Sequence, residues 1–540
     1  FSPSNSSHFS TISKGLLVVS GEKKDRYKDL ILKPSVTNYG SYYNQNVFTY
    51  AFESTGKCGS LLFSNENPRS GTSILGIHAA GVRNSSFGAA TMVTKEIIDK
   101  AINWYDELKD SPLEFNAPLG LSGQCSFPGL EDFKLLEKIP SYSVAGKSRL
   151  KKTAYLDTWI KCSRVPVKIG KHRVDGNLID PYVEARKPLR RSFEWLDVNL
   201  VEDLADSHCI QMSILPDFAI RLKDVLSFEV SVKGIEGEYK GIPRSTSAGY
   251  PLCNIGSGKQ FIFGNEEYIF DTETALRVKK EHEEAMILLE EGKFPKFYYS
   301  EFLKDEIRKP GKAARLVSCA PLVATTVGRS LFGRLFMFLS KNTILCGSAV
   351  GINPFDSSYD LMAKILNTHK YKFDFDHKNW DFNLHPLFIL TFKQYAKWYY
   401  RENYTTAHDT YIMSFMNSKH AIINYDGECE VIAWYGMMIS GSFATSHLNS
   451  LAHNVSNRYA FASSLLDKEG VTEYTYGDIN FEEFEKNLDF VVFGDDIVGG
   501  HSFEELDLID IAKKYKEMGM TITNADKSEF CGKGKTRVEE

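Results

Sequence analysis

The chain has 540 residues, 43% hydrophobic and 13% aromatic, with a formal net charge of -5. That suits a folded α/β or α+β protein with more than one core, and it excludes a uniformly basic surface, although a local basic channel stays open. Nine cysteines without a CxxC pair or a zinc-type Cys/His cluster exclude a zinc framework and suit a reducing compartment.

Residues 1–98 carry short β-type runs at 16–19, 60–63, 73–78 and 87–93, separated by Gly, Ser and Asn. They predict a small barrel or half-barrel. A short helix at 100–108 gives way to DSPLEFNAPLGLSGQCSFPG, a Pro/Gly/Ser-rich stretch that reads as a linker. The expected organisation is a first domain at 1–105, a linker at 106–130 and a second domain at 131–540. Beyond the linker, helical patterns fall at 273–291, 329–342, 360–367, 386–400, 442–464 and 504–517, with a strand at 371–376. No run reaches transmembrane length, and no signal peptide is visible. The chain begins with Phe rather than Met, which suggests a piece of something longer.

Residues 488–500, LDFVVFGDDIVGG, are the most informative stretch. Two β-type runs flank Gly494, Asp495 and Asp496, which places the charge at a hairpin turn. Read alone, it is a solvated turn. Upstream, YKFDFDHKNWDF ends a strand at Asp376, and Asp381 follows five residues later, so both can face one pocket. Two acidic strand ends suit a two-metal phosphoryl-transfer site. Asp376 suits a metal ligand, Asp381 a ribose-hydroxyl contact, and Asp374 shares the Asp376 face of the strand.

The stretch KDEIRKPGKAAR crowds Lys304, Arg308, Lys309, Lys312 and Arg315 around a Pro-Gly turn. Arg forks and Lys point charges suit a triphosphate; the plainer reading is a solvated charge run. In GMMISGSFATSHLNS a Gly-Ser loop enters a helix on which Thr445 and Asn449 share a face. With Ser440 they suit a reader of the ribose 2′-hydroxyl; the plainer reading is a Ser/Thr-capped helix. The loop GIPRSTSAGYP, with Arg244, suits close approach to a backbone or a phosphate. Lys527, in TITNADKSE, could protonate a departing pyrophosphate, though a lone surface lysine is the commoner case.

In order and spacing, STSAGYP, KDEIRKPGKAAR, DHKNWD, SGSFATSHLNS, FGDD and ADKSE resemble the RNA-directed RNA polymerases of picornavirus-like positive-strand RNA viruses. The resemblance covers roughly residues 125–540. It implies an α+β right-hand fold of fingers and palm, and two Mg²⁺ ions, with Mn²⁺ able to substitute. The implied ligands are Asp376 and Asp495, with Asp496 in support. Asp381 and Asn449 resemble the ribose-selecting pair, with Ser440 and Thr445 nearby. Lys304, Arg308, Lys312 and Arg315 resemble the triphosphate contacts, and Lys527 the proton donor. The implied partners are an RNA template and primer, ribonucleoside triphosphates and viral replication proteins, at membrane-associated sites in the host cytoplasm. Family members continue into a primer-gripping turn and a helical thumb, whereas this chain stops thirteen residues after Lys527.

The stretches STGKCGSLLF and GIHAAG are similar to the 3C-like cysteine proteases that precede the polymerase in such polyproteins. A Gly-x-Cys-Gly turn can present a thiolate to an oxyanion hole. The resemblance makes Cys58 the nucleophile and His78 the acceptor of a substrate glutamine, within a partial chymotrypsin-like β-barrel. The family's base and its acidic partner lie upstream of the nucleophile, and His8 is the only histidine before Cys58, so no proteolysis is expected from this chain alone. The expected cleavage junction is Gln124-Cys125. Two other functions stay open at this level: another palm-domain polymerase such as a reverse transcriptase, and a non-catalytic RNA-binding or assembly module.

Overall fold

The structure is a computed structural model. It describes residues 2–3, 14–19, 25–31, 33–39, 42–51, 61–67, 71–81, 88–95, 98–99 and 125–522, with gaps at 129, 131–132, 152–163, 188–194, 257, 354, 356 and 424–427. Two compact units result, Phe1–Ala117 and Pro118–Glu540.

In the first unit the β-type runs pair into an eight-stranded sheet. Its path is Asp25–Ile31, Lys14–Val19, Leu61–Asn67, Gly71–Gly81, Gly88–Met92, Tyr42–Tyr50 and Lys33–Tyr39, with Ser2–Pro3 parallel to Gly71–Gly81. Phe48, Leu62, Leu75 and Ala90 are buried on it. His78 pairs with Ala90, beside a register shift in the same strand. Cys58, the helix expected at 100–108 and Gln124 lie outside the described residues.

Two larger sheets organise the second unit. The first runs Leu316–Cys319, Tyr298–Leu303, Asn417–Ile423, Glu428–Tyr435 and Leu135–Pro140. The second sets Asp496–His501 between Tyr371–Phe375 and Leu488–Phe493, all antiparallel. The helix Thr445–Glu469 packs against Leu488–Phe493. It is buried nearly all round, as a central helix must be, yet Ser450, His453, Asn454 and Asn457 are each at most 1% exposed. Polar groups so deep need partners, and this helix spends them on the acidic hairpin and its neighbours.

Several expectations change. The linker does not extend to residue 130: Cys125, Phe127 and Leu130 are buried in the second unit. The guanidinium of Arg186 stacks 4.0 Å from the centre of the Phe127 ring. Arg186 also donates from Nη2 to Glu301 at 2.6 Å, with both side chains only 1% exposed. Apolar residues outweigh Pro and Gly in that stretch. The helix expected at 386–400 is two, Pro386–Leu390 and Phe392–Tyr400, which meet at Thr391, whose hydroxyl donates to the Phe388 carbonyl at 2.6 Å. The helix expected at 504–517 starts at Leu508, capped by Asp507, whose carboxylate accepts from the Ile509 and Asp510 N–H groups at 2.8 and 2.9 Å. Finally, Leu322–Lys341 is long and apolar enough to cross a membrane, against the sequence expectation, but 83% of its apolar window is buried inside the protein. It is a core helix.

Candidate active site

Leu488–Phe493 and Asp496–His501 close on Phe493 opposite Asp496, which leaves Gly494 and Asp495 as a two-residue turn. Gly494 has φ +67° and Asp495 stays out of the left-handed region, the pattern of a type II′ hairpin. The Thr445–Glu469 helix holds this turn. The Gly494 N–H donates to Ser450 Oγ at 3.2 Å, and His453 Nδ1 lies 3.0 Å from the Gly494 carbonyl. On the other side of Asp496–His501, Phe375 pairs with Ile497. Asp376 directly follows the strand Tyr371–Phe375, close enough for its charge to act on Asp496.

Asp376, Asp495 and Asp496 are exposed at this edge. Partial burial first, then the charges of Asp495 and Asp376, push the Asp496 carboxyl above its ordinary value. Three like charges at one rim form an all-oxygen donor set that a hard divalent cation would relieve. Among the described residues no three His, Cys, Asp or Glu side chains already converge on a metal position. That suits carboxylates that repel one another until a cation, its waters and phosphate oxygens complete the site.

Asn379, at φ +51°, reverses the chain after the strand and starts the short helix Trp380–Asn383. This brings Asp381 back over the turn. Burial first and the Asp495 charge second push the Asp381 carboxyl up to about 6, with Arg315 opposing. The Arg315 guanidinium lies within charge–charge range of both Asp495 and Asp381. Asn449 is 5% exposed, and its Oδ1 accepts from Trp380 Nε1 at 2.8 Å. It braces the residue beside Asp381. The Thr445 hydroxyl does not face outward as its helix position suggests. It lies 3.0, 3.1 and 3.0 Å from the carbonyls of Ile439, Ser440 and Ser442, and so shapes the loop that presents the half-buried Ser440. Gly441 bridges to Cys319, where a Cβ would meet the Ser318 carbonyl at 2.3 Å. Only glycine lets the loop sit that close to the sheet.

The basic run is organised by an acid that sequence reasoning passed over. Arg315 donates from Nε to Glu306 Oε1 at 2.8 Å and from Nη2 to Oε2. Lys304 Nζ and Arg308 Nε each lie 3.9 Å from the same carboxylate. Arg315 above all holds Glu306 below the usual carboxylate range. Lys309 and Lys312 are exposed on the turn. Arg244 is spent internally: it donates to the carbonyls of Gly264, Glu266 and Glu267 and lies over the Tyr268 ring. Lys527 lies outside the described residues.

A profile described as viral RNA-dependent RNA polymerase matches residues 165–537. The genome polyprotein of human rhinovirus A serotype 89 is 31% identical over 311 residues, which is 56% of this chain and 12% of that relative. The replicase polyprotein of cricket paralysis virus is 25% identical over 539 residues, which is 92% of this chain and 29% of that relative. The chain thus spans less than a third of the length of these curated relatives. Among solved structures, the sicinivirus 3Dpol RNA dependent RNA polymerase aligns with a TM-score of 0.55 at 21% identity, over 72% of this chain and 76% of that one. At that identity the likeness concerns the fold, and the mixed sheets and helices described above share its fingers-and-palm arrangement.

Proposed function

The chain belongs to the viral RNA-dependent RNA polymerase family, and we propose that it transfers ribonucleotides from their triphosphates to an RNA 3′-hydroxyl, as part of a picornavirus-like replicase polyprotein. The observation that carries this reading is that the charges of Asp376 and Asp495 both act on Asp496 at one edge of the sheet, with Arg315 and Asp381 beside the same turn. Two Mg²⁺ ions, with Mn²⁺ able to substitute, would be held by Asp376 and Asp495, with Asp496 in support. Bound there, such ions supply the acidity that activates a hydroxyl and screen phosphate charge.

The protein's own groups do the rest. Arg315, Lys304, Arg308 and Lys312 offset charge on the triphosphate, and Glu306 keeps the Arg315 fork in place. Asp381, with a carboxyl near pKa 6, can accept from or donate to a ribose hydroxyl, and Asn449 fixes that stretch through Trp380. Ser440 lines the same loop. Lys527 is proposed to protonate the departing pyrophosphate. The template supplies base choice by pairing, so no base-reading motif is needed.

For the first unit we propose the C-terminal part of a 3C-like cysteine protease, with Cys58 as nucleophile and His78 as glutamine acceptor. The support is the sequence likeness and the antiparallel sheet that carries His78. Cleavage is proposed after Gln124. Because Cys125 is 2% exposed in the second unit, the cut precedes folding of that segment or requires it to open.

The test is Mg²⁺-dependent incorporation of labelled nucleotides on a primed RNA template. Incorporation of ribonucleotides in strong preference to deoxyribonucleotides supports the reading. Equal use of both would move the assignment to another palm-domain polymerase.

A further inference from the structure

Two buried imidazoles join the strand end that carries Asp376 to the turn that carries Asp495. His377 follows Asp376 in the chain, and His453 sits on the Thr445–Glu469 helix; both are buried, His453 completely. Their Nε2 atoms are 3.1 Å apart, and His453 Nδ1 is 3.0 Å from the Gly494 carbonyl. The hydrogen positions follow by elimination. A carbonyl only accepts, so His453 Nδ1 carries a hydrogen. A neutral imidazole carries a hydrogen on only one ring nitrogen, and two ring nitrogens 3.1 Å apart can share only one. His453 Nε2 is therefore a bare acceptor, and His377 Nε2 must donate to it. That leaves His377 Nδ1 bare, and it is the ring nitrogen without a partner. Trp380 wedges the pair, its ring 4.8 Å from that of His377 and 4.4 Å from that of His453. Tyr515 closes the His377 side at 4.8 Å.

We propose that the His377–His453 pair is a positioning device that sets the spacing between the Asp376 and Asp495 carboxylates and thereby tunes the site for a small divalent cation. This rests on the two-metal reading above. Both imidazoles are buried, whereas the three carboxylates are exposed. His377 acts through its chain neighbour Asp376, and His453 through the carbonyl that precedes Asp495. The chain of contacts is Asp376–His377, His377 to His453, His453 to Gly494 and Gly494–Asp495, and it spans two strands that a sheet alone would let twist. Mg²⁺ demands near-ideal octahedral geometry at about 2.0–2.1 Å, whereas Ca²⁺ accepts looser geometry at about 2.3–2.6 Å. A loosened spacing therefore penalises Mg²⁺ more than Ca²⁺.

The experiment measures Mn²⁺ binding by spin resonance, with Mg²⁺ and Ca²⁺ as competitors, alongside thermal melting. It uses the full chain, Asp495→Ala, His453→Phe, His453→Gln and His377→Phe. The expected result is a loss of Mg²⁺ affinity of about tenfold or more in His453→Phe, the usual size for a group that orients a ligand. Ca²⁺ affinity should fall far less. His453→Gln, which keeps an N–H for the Gly494 carbonyl, should recover most of the loss. His377→Phe should lose an intermediate amount, and it stands in for His453→Phe if that variant does not fold. A folded His453→Phe or His377→Phe protein with unchanged Mg²⁺ competition would overturn the inference. Mn²⁺ binding that Asp495→Ala leaves untouched would instead overturn the two-metal reading on which it rests.

Discussion

Asp381→Asn is expected to stabilise the metal-free protein at neutral pH. The Asp381 carboxyl sits at about 6 in the folded state against an ordinary 3.8, from burial first and the Asp495 charge second. Between those two values the folded chain binds more protons than the unfolded one. Stability contributed by this group is therefore full below pH 3.8 and is lost as pH rises through about 6. A shift of about two units, at about 1.4 kcal/mol each, corresponds to about 3 kcal/mol. Partial exposure of the side chain brings the expected effect to about half of that. For a unit of roughly 400 residues this is a gain of about 2 °C in Tm. The assay is thermal melting in chelator, wild type against variant, at pH 7.5 and at pH 4. The variant should melt higher at pH 7.5, and the two should coincide at pH 4. A variant that melts lower at pH 7.5, or a gap of the same size at both pH values, would refute the reasoning. The same variant, assayed for incorporation, should discriminate less well between ribose and deoxyribose substrates.

Two further substitutions probe neighbouring parts. Arg315→Lys loses the fork that grips Glu306 and should raise the triphosphate KM by about tenfold, read by steady-state kinetics, with little change in melting. Arg186→Met strands the buried Glu301 carboxylate and should cost about 3–5 kcal/mol, read as a lower urea midpoint, while Arg186→Met with Glu301→Leu should recover much of it.

The acidic hairpin was legible because two period-two apolar runs frame a Gly-Asp turn, and turn chemistry is local. Asp376 and Asp381 were legible for the same reason, as a strand end followed by a reversal. What sequence reasoning missed depends on distance in the chain. His377 and His453 are 76 residues apart and meet only because a helix packs under a hairpin. Glu306 looked like one charge in a mixed run, and only folding makes it the centre of three cations. Thr445 and Arg244 have the right chemistry for substrate contact, but nearby carbonyls claim them first.

The central claim is tested most directly by Mg²⁺-dependent incorporation of labelled ribonucleotides on a primed RNA template. Wild type and Asp495→Ala are compared, in this chain and in a longer product that contains it. The account predicts incorporation by wild type that disappears in Asp495→Ala, with RNA binding and melting preserved. Equal incorporation by the two proteins would contradict it, and so would silence from every folded form that binds RNA.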